Sequence, residues 1–249
     1  MILLFDVGNT NIVMGIVKDN KIVNTYRFIT NSNMTEDEYY SKFQSIIGTS
    51  EIDGIAISSV VPLIDHTLIT MSKKYFNIDP LIVGPGIKSG VKIKIENPKQ
   101  LGADLLCDAV GAKIYFKETC IIVDLGTATK FIVINKNNEF LGGAISPGIM
   151  TSYNNMINSA AKLSNIGVSK PSKVIGNDTQ SCIQSGLING FASMIDGMIK
   201  KIKDELNEDV KVILTGGLAS TVDSILETEY SYMPNILLEG LLFIYNKNK

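Results

Sequence analysis

The 249-residue sequence predicts an α/β protein of two lobes, each opening with a β-hairpin. Three observations support this. Ile2-Leu3-Leu4-Phe5-Asp6-Val7-Gly8-Asn9-Thr10-Asn11 lies in register with Cys120-Ile121-Ile122-Val123-Asp124-Leu125-Gly126-Thr127-Ala128-Thr129, a separation of 118 residues, and each copy is an apolar strand entering an Asp-x-Gly bend. Twice that separation covers nearly the whole chain, so lobes at 1–115 and 116–249 are expected. Finally, strands in succession give way to strands alternating with stretches of helical spacing. With 45% hydrophobic and 19% charged residues the composition is globular, and the chain is long enough to bury a core without disulfide staples.

The elements follow in order. In each lobe the strand after the bend leads through Asp19-Asn20 or Asn137-Asn138, a turn pair, into a third strand. Glu36 to Ile47 has helical spacing, Gly54 to Pro62 is a buried strand leaving into a loop, and a helix runs from Leu68 to Phe76. Lys88 to Asn97 alternates Val91, Ile93 and Ile95 with lysines, as an edge strand does, until Asn97-Pro98 breaks it. A helix begins near Gly102 and runs towards Phe116. Glycine-rich Leu141 to Gly148 reads as a turn or as one wall of a pocket. Ser181 to Leu206 is a long helix with Ile183, Leu187, Ile188, Phe191, Ile195 and Met198 at core-facing spacing. Lys211 to Leu218 is a strand ending in a diglycine, and Glu239 to Tyr245 is a closing helix.

Several function classes are excluded. A net charge of −2 offers no general attraction to a polyphosphate backbone, so no nucleic-acid partner is expected. Cys107, Cys120 and Cys182 are odd in number and form no CxxC pair, which reads as reduced thiols in the cytoplasm. The single histidine, His66, leaves no Ser-His-Asp triad or histidine-rich zinc site and reads as part of a helix start. Asp6 interrupts the Met1 to Phe5 apolar run, so no signal peptide or membrane span is expected there. Neither GxxxxGK[ST] nor a strand-to-helix GxGxxG is present, which argues against P-loop and dinucleotide folds.

What remains points to phosphate chemistry. Paired Asp-x-Gly bends bring backbone amides and Asn/Thr donors around phosphate oxygens, with Asp6 available to a water-bound Mg²⁺. Gly216-Gly217 lets a flat ring lie on the backbone, or simply makes a tight turn. Asp104, after Gly102-Ala103 at a helix start, reads equally as a general base for an acceptor hydroxyl and as a carboxylate favoured by the helix dipole.

These segments resemble the type III pantothenate kinase family. The resemblance rests on Asp6 to Asn11, Ser58-Ser59-Val60-Val61-Pro62, Asn97-Pro98 with Gly102-Ala103-Asp104, Asp124 to Thr129, Gly142 to Gly148, and Thr215-Gly216-Gly217, in that order across essentially the whole chain. It implies two ribonuclease-H-like lobes with a nucleotide cleft between them, as in actin, sugar kinases and heat-shock ATPases. It also implies a homodimer that transfers the γ-phosphoryl group of ATP to pantothenate, with Mg²⁺ and a monovalent cation, K⁺ or NH₄⁺, as cofactors. By position, Asp6, Val7, Gly8, Asn9, Thr10, Asn11, Ile12 and Val13 would take the ATP phosphates, and Thr127 would contact ATP. Asp104 would be the base, Gly102, Ala103, Asp104 and Thr179 would line the pantothenate pocket, and Asp124 would hold the monovalent cation.

Three positions depart from the family pattern: Leu105 stands where an arginine follows Gly-Ala-Asp, Ile95 where an aromatic residue precedes Asn-Pro, and Lys130 where a threonine follows Thr-Ala-Thr. Losing a charged hydrogen bond to the pantothenate carboxylate costs roughly 1.5–3 kcal/mol. On the residues alone, a kinase for another small hydroxy compound and a nucleotide-binding regulator both stay open. An added ammonium at Lys130 is expected to bind phosphate, to take over the cation's electrostatic role, or to point into solvent.

Overall fold

A computed structural model describes residues 1–159 and 167–249. They form two compact units, Met1–Tyr115 with Asn235–Lys249, and Phe116–Pro234.

The first unit is built on strands β1 (Ile2–Val7), β2 (Asn11–Lys18), β3 (Lys21–Ile29), β4 (Gly54–Ser59) and β5 (Leu81–Ile82), in the sheet order β3-β2-β1-β4-β5. The β2–β3 connection is a two-residue turn in which Asp19 and Asn20 both take positive φ (49° and 58°), the geometry that suits a tight hairpin. Strand β1 is apolar throughout except Asp6 because both its faces are covered. Leu3, Phe5 and Val7 pack with α1 (Glu36–Ile47) and α2 (Pro62–Phe76) through Phe43, Ile64 and Leu68. Leu4 and Ala56 face the other way, onto α3 (Ala103–Tyr115) and α6 (Ile236–Asn248), among Leu106, Cys107, Leu238 and Leu241. Helix α1 is capped by Thr35, whose hydroxyl accepts from the Glu38 amide while the Glu38 carboxylate accepts from the Thr35 amide. A further two-residue strand, β6, spans Lys92–Ile93.

The second unit repeats the plan. Strands β7 (Thr119–Leu125), β8 (Ala128–Ile134) and β9 (Glu139–Pro147) form an antiparallel meander. Beyond β7 come β10 (Val210–Thr215) and β11 (Ser231–Tyr232), both parallel additions, giving the order β11-β10-β7-β8-β9. In both units, then, a three-stranded meander is followed by two parallel strands beside its first strand. Ile121, Val123 and Leu125 of β7 pack with Ile149 and Tyr153 of α4 (Ile149–Ser159) and with Ile188, Ile195 and Ile199 of α5 (Thr179–Leu206).

Four expectations are corrected. The strand predicted through Pro62 stops at Ser59, and α2 starts at Pro62 rather than Leu68, because proline at the first helical position has the right φ and needs no partner for a missing N–H. The glycine-rich stretch read as a turn is instead the greater part of β9, where a Cβ on Gly143 would lie 1.9 Å from the Phe131 carbonyl oxygen. Of the predicted edge strand 88–97, only Lys92–Ile93 takes strand geometry, although Val91, Ile93 and Ile95 are half-buried and the lysines between them exposed. The closing helix runs over Ile236–Asn248 and packs with α3, so it belongs to the first unit rather than to a second lobe of 116–249.

Candidate active site

In the first unit the bend between β1 and β2 is closed by the Gly8 amide donating to the Asn11 carbonyl at 2.9 Å. It is tied to β3 from the side: Thr30 Oγ1 donates to the Gly8 carbonyl at 2.7 Å, and the Thr30 amide to the Thr10 carbonyl at 3.0 Å. The Val60 amide donates to the Val7 carbonyl at 3.0 Å, fixing the strand end. The result is a rigid bend with Asn9 and Thr10 exposed at its tip and Val7 and Ile12 buried beneath it. Asp6 stands half-buried on β1, opposite Val13 of β2 and Ser58 of β4.

Asp104 lies in the first turn of α3, half-buried, with Oδ1 accepting from the Leu105 amide at 2.8 Å. The fully buried Cys107 thiol is pushed well above its usual range, first by burial, then by the carboxylates of Asp6, Asp108 and Asp104, against the opposing effect of the Ser58 hydroxyl. Gly102 is half-buried and Ala103 buried beside Asp104, and Leu105 and Ile95 are half-buried.

Sequence reasoning gave neither Cys107 nor Asp108 a place here and quoted Ser58 only within a motif; all three have 0% exposure. Cys107 and Asp108 follow Asp104 by three and four residues, so all three share a face of α3, a spacing legible without a structure.

The second unit carries the matching bend. The Gly126 amide donates to the Ala128 carbonyl at 3.0 Å. Thr127 is exposed at the tip, with its carbonyl accepting from the Gly148 amide (3.0 Å) and from Thr151 Oγ1 (2.7 Å). The diglycine after β10 is pressed against this bend: Gly216 has φ +93°, and a Cβ there would lie 2.5 Å from Asp124 Oδ1 and from the Leu125 amide nitrogen. Any side chain would push β10 away from the bend. Asp124 is 8% exposed, and its Oδ2 accepts from Lys130 Nζ at 2.6 Å, an ion pair between directly opposed residues of β7 and β8. Thr179 is exposed as the first residue of α5, behind the Asp178 cap. Among the described residues no cluster of three or more His, Cys, Asp or Glu suits a metal ion.

This architecture is shared with solved structures. Along 99% of its length the chain is similar to a conserved putative Baf family transcriptional activator from Campylobacter jejuni, covering 98% of that chain with TM-score 0.62 and 20% identity. It is likewise similar to a putative N-acetylglucosamine kinase from Porphyromonas gingivalis, covering 100% of this chain and 99% of that one, with TM-score 0.57 and 14% identity. The fold is one that a putative sugar kinase shares, and the matches that follow define the protein as a small-molecule kinase. A curated type III pantothenate kinase from Halalkalibacterium halodurans is 43% identical over 253 residues, covering 100% of both chains. Residues 2–201 match the type III pantothenate kinase family, and the chain belongs to it. Its reaction is phosphorylation of pantothenate by ATP, the first step of coenzyme A biosynthesis.

Proposed function

We propose that the two bends and the start of α3 divide the reaction between them. The segment Asp6 to Val13 takes the ATP phosphates, with Asn9 and Thr10 at its exposed tip, and Thr127 contacts ATP. Gly102, Ala103 and Thr179 line the pantothenate pocket. Asp104 accepts the hydroxyl proton as that oxygen forms its bond to the γ-phosphorus, and the bond from the γ-phosphorus to the bridging oxygen breaks to release ADP. The observation that carries this reading is that β1 and β4, which pair at Asp6 and Ser58, pack against α3, the helix whose first turn carries Asp104.

A single half-buried carboxylate at the end of a strand, Asp6, suits Mg²⁺ held through water and phosphate oxygens, and the ion would neutralise charge building on the transferred group. The monovalent cation implied by the resemblance fares differently. At Asp124 one carboxylate oxygen already accepts from the Lys130 ammonium and the other lies under Gly216, so these donors do not fit a second cation.

A homodimer in the cytoplasm completes the proposal. Val174 and Ile175 are 72% and 86% exposed shortly before Thr179, an apolar patch suited to a second copy. Cys107, Cys120 and Cys182 form no disulfide, and no helix among the described residues is long and apolar enough to cross a membrane.

The test is pantothenate-stimulated ADP release by Asp104→Asn beside the parent, with molar mass measured by light scattering. The base reading expects kcat to fall about a hundredfold or more with ATP affinity kept. An unchanged kcat removes Asp104 from the chemistry, and a monomer mass removes the dimer.

A further inference from the structure

We propose that the Lys130 ammonium is this protein's built-in replacement for a bound monovalent cation, so that nucleotide binding and phosphoryl transfer run without potassium. The inference rests on the reading of the Asp124 bend as part of the ATP site. Lys130 follows that bend on β8 and is directly opposed to Asp124 across the β7–β8 ladder. Its Nζ donates to Asp124 Oδ2 at 2.6 Å, and the two side chains are only 18% and 11% exposed. The other carboxylate oxygen lies against Gly216 at the end of β10.

The hairpin that carries Asp124 also carries its counter-charge, held by strand pairing rather than drawn from solution. Such a cation is present at unit occupancy and pays no translational entropy on arrival. A potassium ion entering the same carboxylate would have to displace a charge-assisted hydrogen bond or sit beside a like charge, both unfavourable in a site largely shielded from water. A threonine there, as in the family pattern, has a hydroxyl and no charge, and would leave the carboxylate without this counter-charge. Lysine at 130 moves the same positive charge from solvent into the sequence.

The experiment compares the parent protein and Lys130→Thr in potassium chloride and in tetramethylammonium chloride at equal ionic strength. It reads the Kd for ADP by calorimetry, thermal midpoint shifts without nucleotide, and kcat. For the parent, exchanging the cations changes Kd and kcat by less than about twofold, and the midpoint does not respond specifically to potassium. Lys130→Thr binds ADP about tenfold or more weakly in tetramethylammonium and recovers as potassium is added, with a potassium-dependent rise in its midpoint. A merely structural lysine would leave a variant that potassium does not rescue, and that result overturns the proposal. So does a parent that loses nucleotide affinity or turnover about tenfold without potassium, which decides the matter even if the variant fails to fold. Tight ADP binding in both salts without pantothenate phosphorylation would instead undo the acceptor assignment and leave the Lys130 inference standing.

Discussion

Under the proposed assignment, Leu105 bears on affinity for the acceptor. It follows Asp104 in the first turn of α3 and is half-buried beside the proposed base, where the family pattern has an arginine. A guanidinium at that point would pair with the pantothenate carboxylate, a charge-assisted bond worth roughly 1.5–3 kcal/mol. Leu105→Arg is therefore expected to lower the KM for pantothenate about tenfold with kcat little changed, measured by steady-state kinetics. A fall in kcat instead would mean that the new charge draws Asp104 away from the hydroxyl. At this scale the sequence was informative where a residue's position rests on local chain geometry. Asp6, Asp104 and Asp124 each stand out because a glycine lies two residues away. The burial of Ser58 and Cys107 depends on β4 and α3 meeting across the sheet from β1, contacts that no local window contains.

Among elements, α5 begins at a pH-sensitive cap. Its Asp178 cap accepts from the Ser181 amide at 2.9 Å, and hydrogen bonds from Ser181 hold the carboxyl below its ordinary value of 3.8. A depressed carboxyl stabilises the fold fully above its unfolded value, and that contribution disappears as pH falls through the lower, folded value. Acidification should thus fray the first turn of α5, and with it Thr179, before the helix interior, seen as faster amide exchange at Ser181 and Cys182 than at Ile195. Uniform exchange along the helix would contradict this. The long helix was legible because its apolar period persists over many turns. Strand β9 was not, because Gly142 and Gly143 suppress the β-propensity signal while serving the sheet: Gly142 has φ 133° near the irregularity opposite Val133/Ile134, and Gly143 lies against the β8 backbone. Alternation over 88–97 correctly gave which side chains turn inward. It carried no information on how many of those residues pair.

For the molecule as a whole, the 118-residue repeat anticipated two units of one plan, and both do place two parallel strands beside a meander. What it missed is the return of the chain: α6 packs on α3 in the first unit, burying Leu238, Leu241 and Ile244. Nothing in an amphipathic segment names the partner for its apolar side. A chain ending at Pro234 is expected to leave Leu106, Cys107 and Val110 uncovered and to lose the cooperative melt of the first unit, measured by circular dichroism against the full chain. A truncated protein with an unchanged melt would show that α6 is dispensable.

The same return of the chain sets a schedule for synthesis. Residues 1–115 leave the ribosome first, yet their unit lacks its last helix until 236–248 have been made, whereas the whole of 116–234 is available earlier. At about 5–20 residues per second, the apolar side of α3 waits several seconds for its cover while the second unit is translated. The later-encoded unit is therefore the first that can mature, and the nascent chain carries an exposed sticky surface in the meantime. Chaperone demand should peak in that interval.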